Sequence, residues 1–348
     1  MPVVDPGPFL LDNPGSAART GLVVATDPDT MPAVAWAGPV PQAGLDPAMV
    51  AALADGSWRC ALLPEHATGW FGRPGLSEYD ISYVKWDHNR SLVDAGSARR
   101  AGAPAVHAQT LAVYALLDEL RRRHPDVEWE SCASGGGRVD LGILERAERI
   151  WVSDMTDALA RQSIQRWTGQ LVPPEYCGAH VSAPTAHQTG RHLPLALRAA
   201  TALFGHFGIE WDLTTADRAA LDELASWVRL YKAHRALIHS GRVARADAPD
   251  GTALMHGVTA ADRGAALMSY VQLDEPTRTQ AVALRWPGLD PSRRYRVTDV
   301  TPETSMPVRA TAPVIPRGPL SGVLLAEVGV AVPVQRPHTP VIMFAEAT

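Results

Sequence analysis

The chain has 348 residues, 46% of them hydrophobic and 20% charged, which describes a globular protein with a substantial core, built as one large domain or two to three smaller ones. Its net charge of −5 comes without a basic stripe, so nucleic acid is not an expected partner. No run approaches the roughly 20 apolar residues of a membrane span, and the start, Met1 to Gly15, has neither the basic region nor the apolar centre of a signal peptide.

Residues 1–78 hold two strand-like runs, 21–26 and 33–38, and a segment at 46–54 that suits a short helix or a loop. From 79 to 241 a rhythm sets in. Short apolar segments at 81–87, 127–132, 149–154, 176–181 and 204–211 end in polar or glycine residues, and each precedes an amphipathic stretch. Helices are predicted over 105–124, 138–149, 156–167, 193–203 and 214–240, the last with Thr214 and Thr215 as N-caps. Five strand–helix units in series predict a parallel sheet with crossover helices. A complete (β/α)8 barrel holds eight units in about 250 residues, so five units amount to a partial barrel. From 242 to 348 the pattern becomes alternating strands at 265–271, 279–284, 295–300, 321–327 and 340–344, separated by turn signals such as Asp250-Gly251 and Pro287-Gly288. The expected class is therefore α/β plus β: a partial TIM barrel followed by an antiparallel β domain.

The chemistry concentrates at the ends of the barrel segments. In Tyr83-Val84-Lys85-Trp86-Asp87-His88-Asn89-Arg90, strand alternation puts Lys85, Asp87 and Asn89 on one face. An ammonium beside Asp87 favours the charged carboxylate that a nucleophile needs; a structural ion pair is the other reading. Asp154 ends a second segment beside Trp151 and Met155, which are expected to desolvate it and suit it to general-acid work; helix capping by Asp154 or Asp157 is the alternative. Two carboxylates on two strand ends of one barrel are the minimum equipment of a glycosidase. Between them, Cys132 to Arg138 carries three glycines before a helix, too far from the phosphate-loop pattern to suggest a nucleotide, and suited to sugar hydroxyls or a tight turn. Trp129, Trp151, Trp167 and Trp211 are either core or a sugar platform, and His180, His187 and His192 read as loop and packing residues. The 12 histidines are scattered with no HExxH or CxxC pair, so no metal is expected. Cys60, Cys132 and Cys177 are an odd, widely spaced set, which suits a reducing cytoplasm.

The segments KWDHNR, ESCASGGGRVDLG, WVSDMTDA and GAHVSAPTAHQTGR, in this order, resemble the catalytic half of glycoside hydrolase family 36, the bacterial α-galactosidase type. The resemblance runs from about Tyr79 to the end of the chain. It implies a retaining α-galactosidase acting on terminal α-D-galactosides of the melibiose and raffinose type. Asp87 would be the nucleophile, Asp154 the acid/base, and Lys85, Asn89, Cys132 and Gly135 the substrate-binding residues. It further implies no cofactor, a galactosyl oligosaccharide as partner, a cytoplasmic location, and the option of a homo-oligomer. Residues 62–76 are similar to the beginning of the family's N-terminal sandwich, and between about Gly75 and Ile81 the chain skips most of that sandwich and barrel units one to three. The paired aspartates that hold the outer galactose hydroxyls in the family have no counterpart, since the chain contains no Asp-Asp pair. The resemblance therefore describes a family member with an internal deletion. Its alternatives are a catalytically impaired remnant or partial gene product, α-galactosyl transfer, and an α-N-acetylgalactosaminidase.

Overall fold

In the computed structural model, residues 81–87, 102–305 and 311–348 are described in full, with 49–50, and the backbone alone at Phe9–Asp12, Thr20–Asp27, Thr30–Pro39, 60–61, 96–97 and 306–308. The chain divides into two compact units, Met1–Ile81 with Arg90–Val93, and Ser82–Asn89 with Asp94–Thr348. The first contains an antiparallel sheet of β1 (Phe9–Asp12), β2 (Thr20–Asp27), β3 (Thr30–Pro39) and β4 (Cys60–Ala61), in that order. Both strand-like runs of the N-terminal segment are thus strands; most of 46–54 and all of 62–76 lie outside the described residues.

The second unit begins with β5 (Tyr83–Asp87), followed by the short pair β6 (Gly96–Ser97) and β7 (Ala103–Pro104). Then come β8 (Glu128–Cys132), β9 (Arg149–Trp151), β10 (Cys177–Ser182) and β11 (His206–Glu210). Together β5, β8, β9, β10 and β11 form a parallel five-stranded sheet in chain order, five-eighths of a (β/α)8 barrel. Helices Val106–Arg123, Leu141–Leu144, Ala158–Thr168, Leu195–Ala202 and Arg218–Ile238 follow the five strands.

Val106–Arg123, Ala158–Thr168 and Leu195–Ala202 match the predicted runs closely, and of these only Ala158–Thr168 has a side-chain cap, from Asp157. The second is far shorter than predicted. Asp140 caps it by accepting from Ile143 N at 2.8 Å, but the chain must reach β9 by Arg149 and only four residues stay helical. The last helix is not capped by the threonines: Thr214 and Thr215 sit in a 3-10 turn capped by Asp212, and Asp217 accepts from Ala220 N at 2.8 Å. A carboxylate one turn later offers the stronger charge-assisted cap.

After Gly241 the chain forms β12 (Arg242–Asp247), β13 (Ala253–Thr259), β14 (Ala265–Gln272), β15 (Val282–Leu284), β16 (Arg294–Asp299), β17 (Leu320–Ser321), β18 (Val330–Val332) and β19 (Thr339–Ala347). A six-stranded sheet runs β12-β13-β14-β19-β16-β17, with β15 and β18 paired separately. The predicted strand at 321–327 is instead a helix, Gly322–Glu327. Ser321 Oγ accepts from Leu324 N, and of the apolar run only Leu325 is buried while Val323 and Leu324 are exposed, a helical rather than an alternating period.

The partial barrel and the β domain share one apolar cluster. Val181, Leu195, Leu203 and Trp227 of the barrel pack with Val258, Leu267 and Ile342 of the β sheet. Fully burying side chains of this size stabilises by roughly 1.5–3 kcal/mol each, so the two parts of this unit are expected to unfold together. His256 on β13 lies edge-on to Phe204 at 4.5 Å, and burial, then Arg245 and Arg166, push its pKa down to about 3. His239 is pushed down to about 4, chiefly by burial and then by His206 and two arginines. An unfolded histidine takes its proton near pH 6.5, the folded ones only well below that, so the unfolded chain binds more protons between those values. Stability is therefore expected to fall as the pH drops from about 6.5 towards 4. Urea midpoints across that range check this, and His256→Gln should flatten the slope by up to about one proton.

Candidate active site

Backbone pairing decides which side chains share the barrel interior. Lys85 pairs with Glu130 and Asp87 with Cys132, Glu130 with Arg149, Trp151 with Gly178, and Ser182 with Glu210. Paired residues in a parallel sheet face the same way. Lys85, Asp87, Glu130, Cys132, Trp151, His180 and Glu210 therefore project from one face, while Trp129, Ile150 and Val181 pack towards the helices.

The interior residues touch in series. Lys85 Nζ lies 3.8 Å from Glu130 Oε1 and 4.4 Å from the Trp151 ring centroid. The Trp151 and His180 rings are 4.1 Å apart, and His180 Nδ1 lies 3.3 Å from Glu210 Oε2. Every strand of the sheet contributes one member. Glu130 is nearly fully buried and accepts from Tyr83 OH at 2.8 Å. Burial, then Glu130, raises the Tyr83 phenol well above its usual range. The hydrogen bond from His180, reinforced by Lys85 and Arg161, holds the Glu210 carboxyl below the usual range against some burial. Gly208 makes this possible, because a Cβ there would come within 2.5 Å of the His180 ring.

At the upper ends of the strands, two carboxylates meet one thiol. Cys132 is completely buried; its Sγ lies 4.0 Å from Asp154 Oδ1 and is hydrogen-bonded to the Asp87 carboxylate. Burial first, then Asp87, pushes the thiol up to about 11, against a Gly135 backbone contact and Lys85. A thiol in that state is protonated at neutral pH and packs rather than attacks. Arg138, at the end of the glycine run, stands within electrostatic reach of both Asp87 and Cys132, and its own pKa is lowered by burial.

The glycine run turns sharply. Ser134 (φ 49°) and Gly135 (φ 79°) are both left-handed. A Cβ on Gly135 would lie 2.4 Å from Ser153 Cα and 3.0 Å from Asp154 N. Gly135 is thus the point at which the β8 loop touches the backbone that carries Asp154.

Asp154 is three residues beyond the end of β9, on an irregular tip, and it is exposed. The expected desolvation by Trp151 is not made, since that ring packs against Lys85, His180 and Arg161. Asp157 is the helix cap, fully buried, accepting from Leu159 N at 2.9 Å and Ala160 N at 3.2 Å and paired with Arg191. Asp87, Asp154, Lys85, Cys132 and Gly135 are brought together at one end of the sheet; Asn89 and His88 lie outside the described residues. Trp129 and Trp151 are core, and Trp167 is exposed at the far end of its helix.

Four contributors were not legible as such in the sequence: Glu130, His180, Glu210 and Arg161. Arg161 had a usable signal, a charged residue one turn after Ala158 on the buried stripe of its helix. Among the described residues no cluster of His, Cys, Asp or Glu is arranged to hold a metal ion, and no helix is long and apolar enough to cross a membrane.

Residues 75–241 match the Melibiase family. The chain is 42% identical over 279 residues to an alpha-galactosidase of Escherichia coli, covering 78% of this chain and 39% of that protein. Over 226 residues it is 35% identical to alpha-galactosidase AgaA of Geobacillus stearothermophilus, covering 64% of this chain and 31% of the relative. The crystal structure of GH36 AgaA A355E D548N from that organism in complex with raffinose superposes with a TM-score of 0.70 at 31% identity, over 78% of this chain and 36% of the other. The alpha-galactosidase of Lactobacillus brevis superposes with a TM-score of 0.69 at 31% identity and the same coverage. The chain therefore spans about two fifths or less of the length of these relatives.

Proposed function

Residues 75–241 belong to the Melibiase family, the α-galactosidase type of glycoside hydrolase family 36, and from this premise we propose that the chain is a retaining α-galactosidase unit acting on terminal α-D-galactosides. The observation that carries the reading is the convergence of Asp87, at the end of β5, and Asp154, on the tip after β9, on the buried thiol of Cys132.

In this reading a carboxylate oxygen of Asp87 attacks the anomeric carbon from one side. The C1–O bond to the leaving sugar breaks, and its oxygen takes the proton of Asp154. A covalent galactosyl ester on Asp87 results. Asp154, now a carboxylate, removes a proton from water, whose oxygen attacks the same carbon and releases galactose with its configuration retained. Lys85, anchored by Glu130 and Trp151, Asn89, Cys132 and the Gly135 backbone take the sugar hydroxyls. Galactosyl oligosaccharides of the raffinose and stachyose kind are the substrates that fit this assignment, as bound by AgaA variants. We read the chain as an N-terminal sandwich segment (1–78), a partial barrel (79–241) and a C-terminal β domain (242–348), joined across an internal deletion, in a cytoplasmic protein with the option of homo-oligomerisation.

The second reading is an impaired remnant or partial gene product. It is favoured by the sheet itself, which among the described residues has five parallel strands where a closed barrel has eight. Loss of sugar ligands removes binding energy that would be expressed in the transition state. Release of nitrophenol from an aryl α-galactoside by the purified chain separates the two. Turnover that disappears in Asp87→Asn supports the enzyme; well-folded protein with no turnover supports the remnant.

A further inference from the structure

The tip that carries Asp154 has no regular structure, yet side chains hold each of its carbonyls. Arg161 Nη1 donates to Ser153 O at 2.6 Å and to Met155 O at 3.1 Å. Gln188 Nε2 donates to Asp154 O at 2.6 Å. Gln188 Oε1 accepts in return from Thr156 N at 3.2 Å and from Thr156 Oγ1. Ser182 Oγ donates to Thr156 O at 2.6 Å. Four successive carbonyls are thus pinned from three directions: the helix that follows, the loop after β10, and β10 itself.

Arg161 is the centre of this arrangement. It is 2% exposed, and its guanidinium lies 4.6 Å from the centroid of the Trp151 ring, the same ring that Lys85 Nζ approaches at 4.4 Å. Burial lowers its pKa to about 10, so it stays charged at neutral pH. Removing a guanidinium from water costs several kcal/mol, and a methionine would fill this volume without that cost. What the guanidinium adds is a charged terminal nitrogen, Nη1, that serves the carbonyls on either side of Asp154, while Nε donates to Gln165 Oε1 at 3.1 Å and fixes its direction.

We propose that Arg161 and Gln188 are positioning residues that set the direction of the Asp154 carboxyl. The proposal rests on the assignment of Asp154 as acid/base. Their role in this proposal is exerted through the backbone that carries Asp154. Through Trp151, the same guanidinium also ties the Asp154 tip to the Lys85 side of the pocket.

The test compares methyl α-galactoside, whose leaving oxygen must be protonated, with α-galactosyl fluoride, whose C1–F bond breaks to release fluoride without a proton. A displacement of about 1 Å at a catalytic group costs on the order of 100-fold. Arg161→Met is therefore expected to lower kcat/KM for the methyl glycoside about 100-fold while kcat/KM for the fluoride stays within about 3-fold. Arg161→Lys, which keeps one charged donor nitrogen, should recover part of the loss, and Gln188→Glu should show the same split in weaker form. Equal losses on both substrates, or no loss on either in folded protein, overturn the proposal. Amide hydrogen exchange gives an arm independent of turnover: exchange at 153–156 should quicken in Arg161→Met and stay unchanged at 206–210. Unaltered exchange at 153–156 overturns the proposal even if the wild-type chain hydrolyses nothing, whereas absent wild-type turnover with the exchange change present defeats only the hydrolase reading.

Discussion

Asp87→Asn is expected to abolish turnover of every α-galactoside, whereas Asp154→Ala should lose only the reactions that need a proton moved. The two carboxylates reach the same buried thiol from the end of β5 and the tip after β9, but in the proposed double displacement they do different work. Without a carboxylate at 87 no ester forms, however good the leaving group. Without Asp154 the ester still forms from α-galactosyl fluoride, so its kcat/KM should remain within a few-fold, while kcat/KM for methyl α-galactoside falls about 10²- to 10⁴-fold, the usual worth of general-acid assistance. The second step then lacks its base, so kcat for the fluoride should fall and be restored by azide, which attacks the ester unaided and leaves as galactosyl azide. If Asp154→Ala lowers kcat/KM for both substrates alike, the acid/base assignment fails. If Asp87→Asn keeps its activity, the nucleophile has been misplaced.

The second large effect is expected at Gly135. Replacing it with alanine puts a Cβ 2.4 Å from Ser153 Cα and 3.0 Å from Asp154 N, both backbone atoms that cannot swing aside. The left-handed conformation itself costs a non-glycine residue roughly 1–2 kcal/mol, and steric overlap in a packed site typically adds about 1–3 kcal/mol. Gly190 supplies the control, with φ +68° and nothing within 4 Å of the Cβ that an alanine would add. Gly190→Ala should show the conformational cost alone in urea denaturation. Gly135→Ala should lose distinctly more stability and, because the displaced atoms carry Asp154, activity as well. Equal urea midpoints for the two variants would mean that the β8 loop is not seated against the Asp154 tip.

The same physics explains which expectations held. Five strand–helix units, their order and the antiparallel domain behind them are written in short-range patterns: alternation, apolar stripes and turn residues. The strands Tyr83–Asp87, Glu128–Cys132 and His206–Glu210 fall within the predicted runs. Local signals failed where two of them competed. The run at 321–327 is apolar enough for a strand, but a serine cap at 321 begins a helix. At 138–149 a helical pattern was cut short by the distance left to β9.

The sequence alone nominated the carriers of the candidate chemistry: Lys85, Asp87, Asn89 and Asp154 by their place at the ends of strand-like segments, and Cys132 and Gly135 through the family resemblance. Only the tertiary structure decided their surroundings. Glu130 anchoring Lys85, His180 bonded to Glu210, and Arg161 gripping the carbonyls around Asp154 each join residues on different strands, helices or loops. The physical reason is reach: periodicity encodes which face a residue takes within its own element, while a hydrogen bond or ion pair between elements depends on strand register and helix docking, which no local pattern carries.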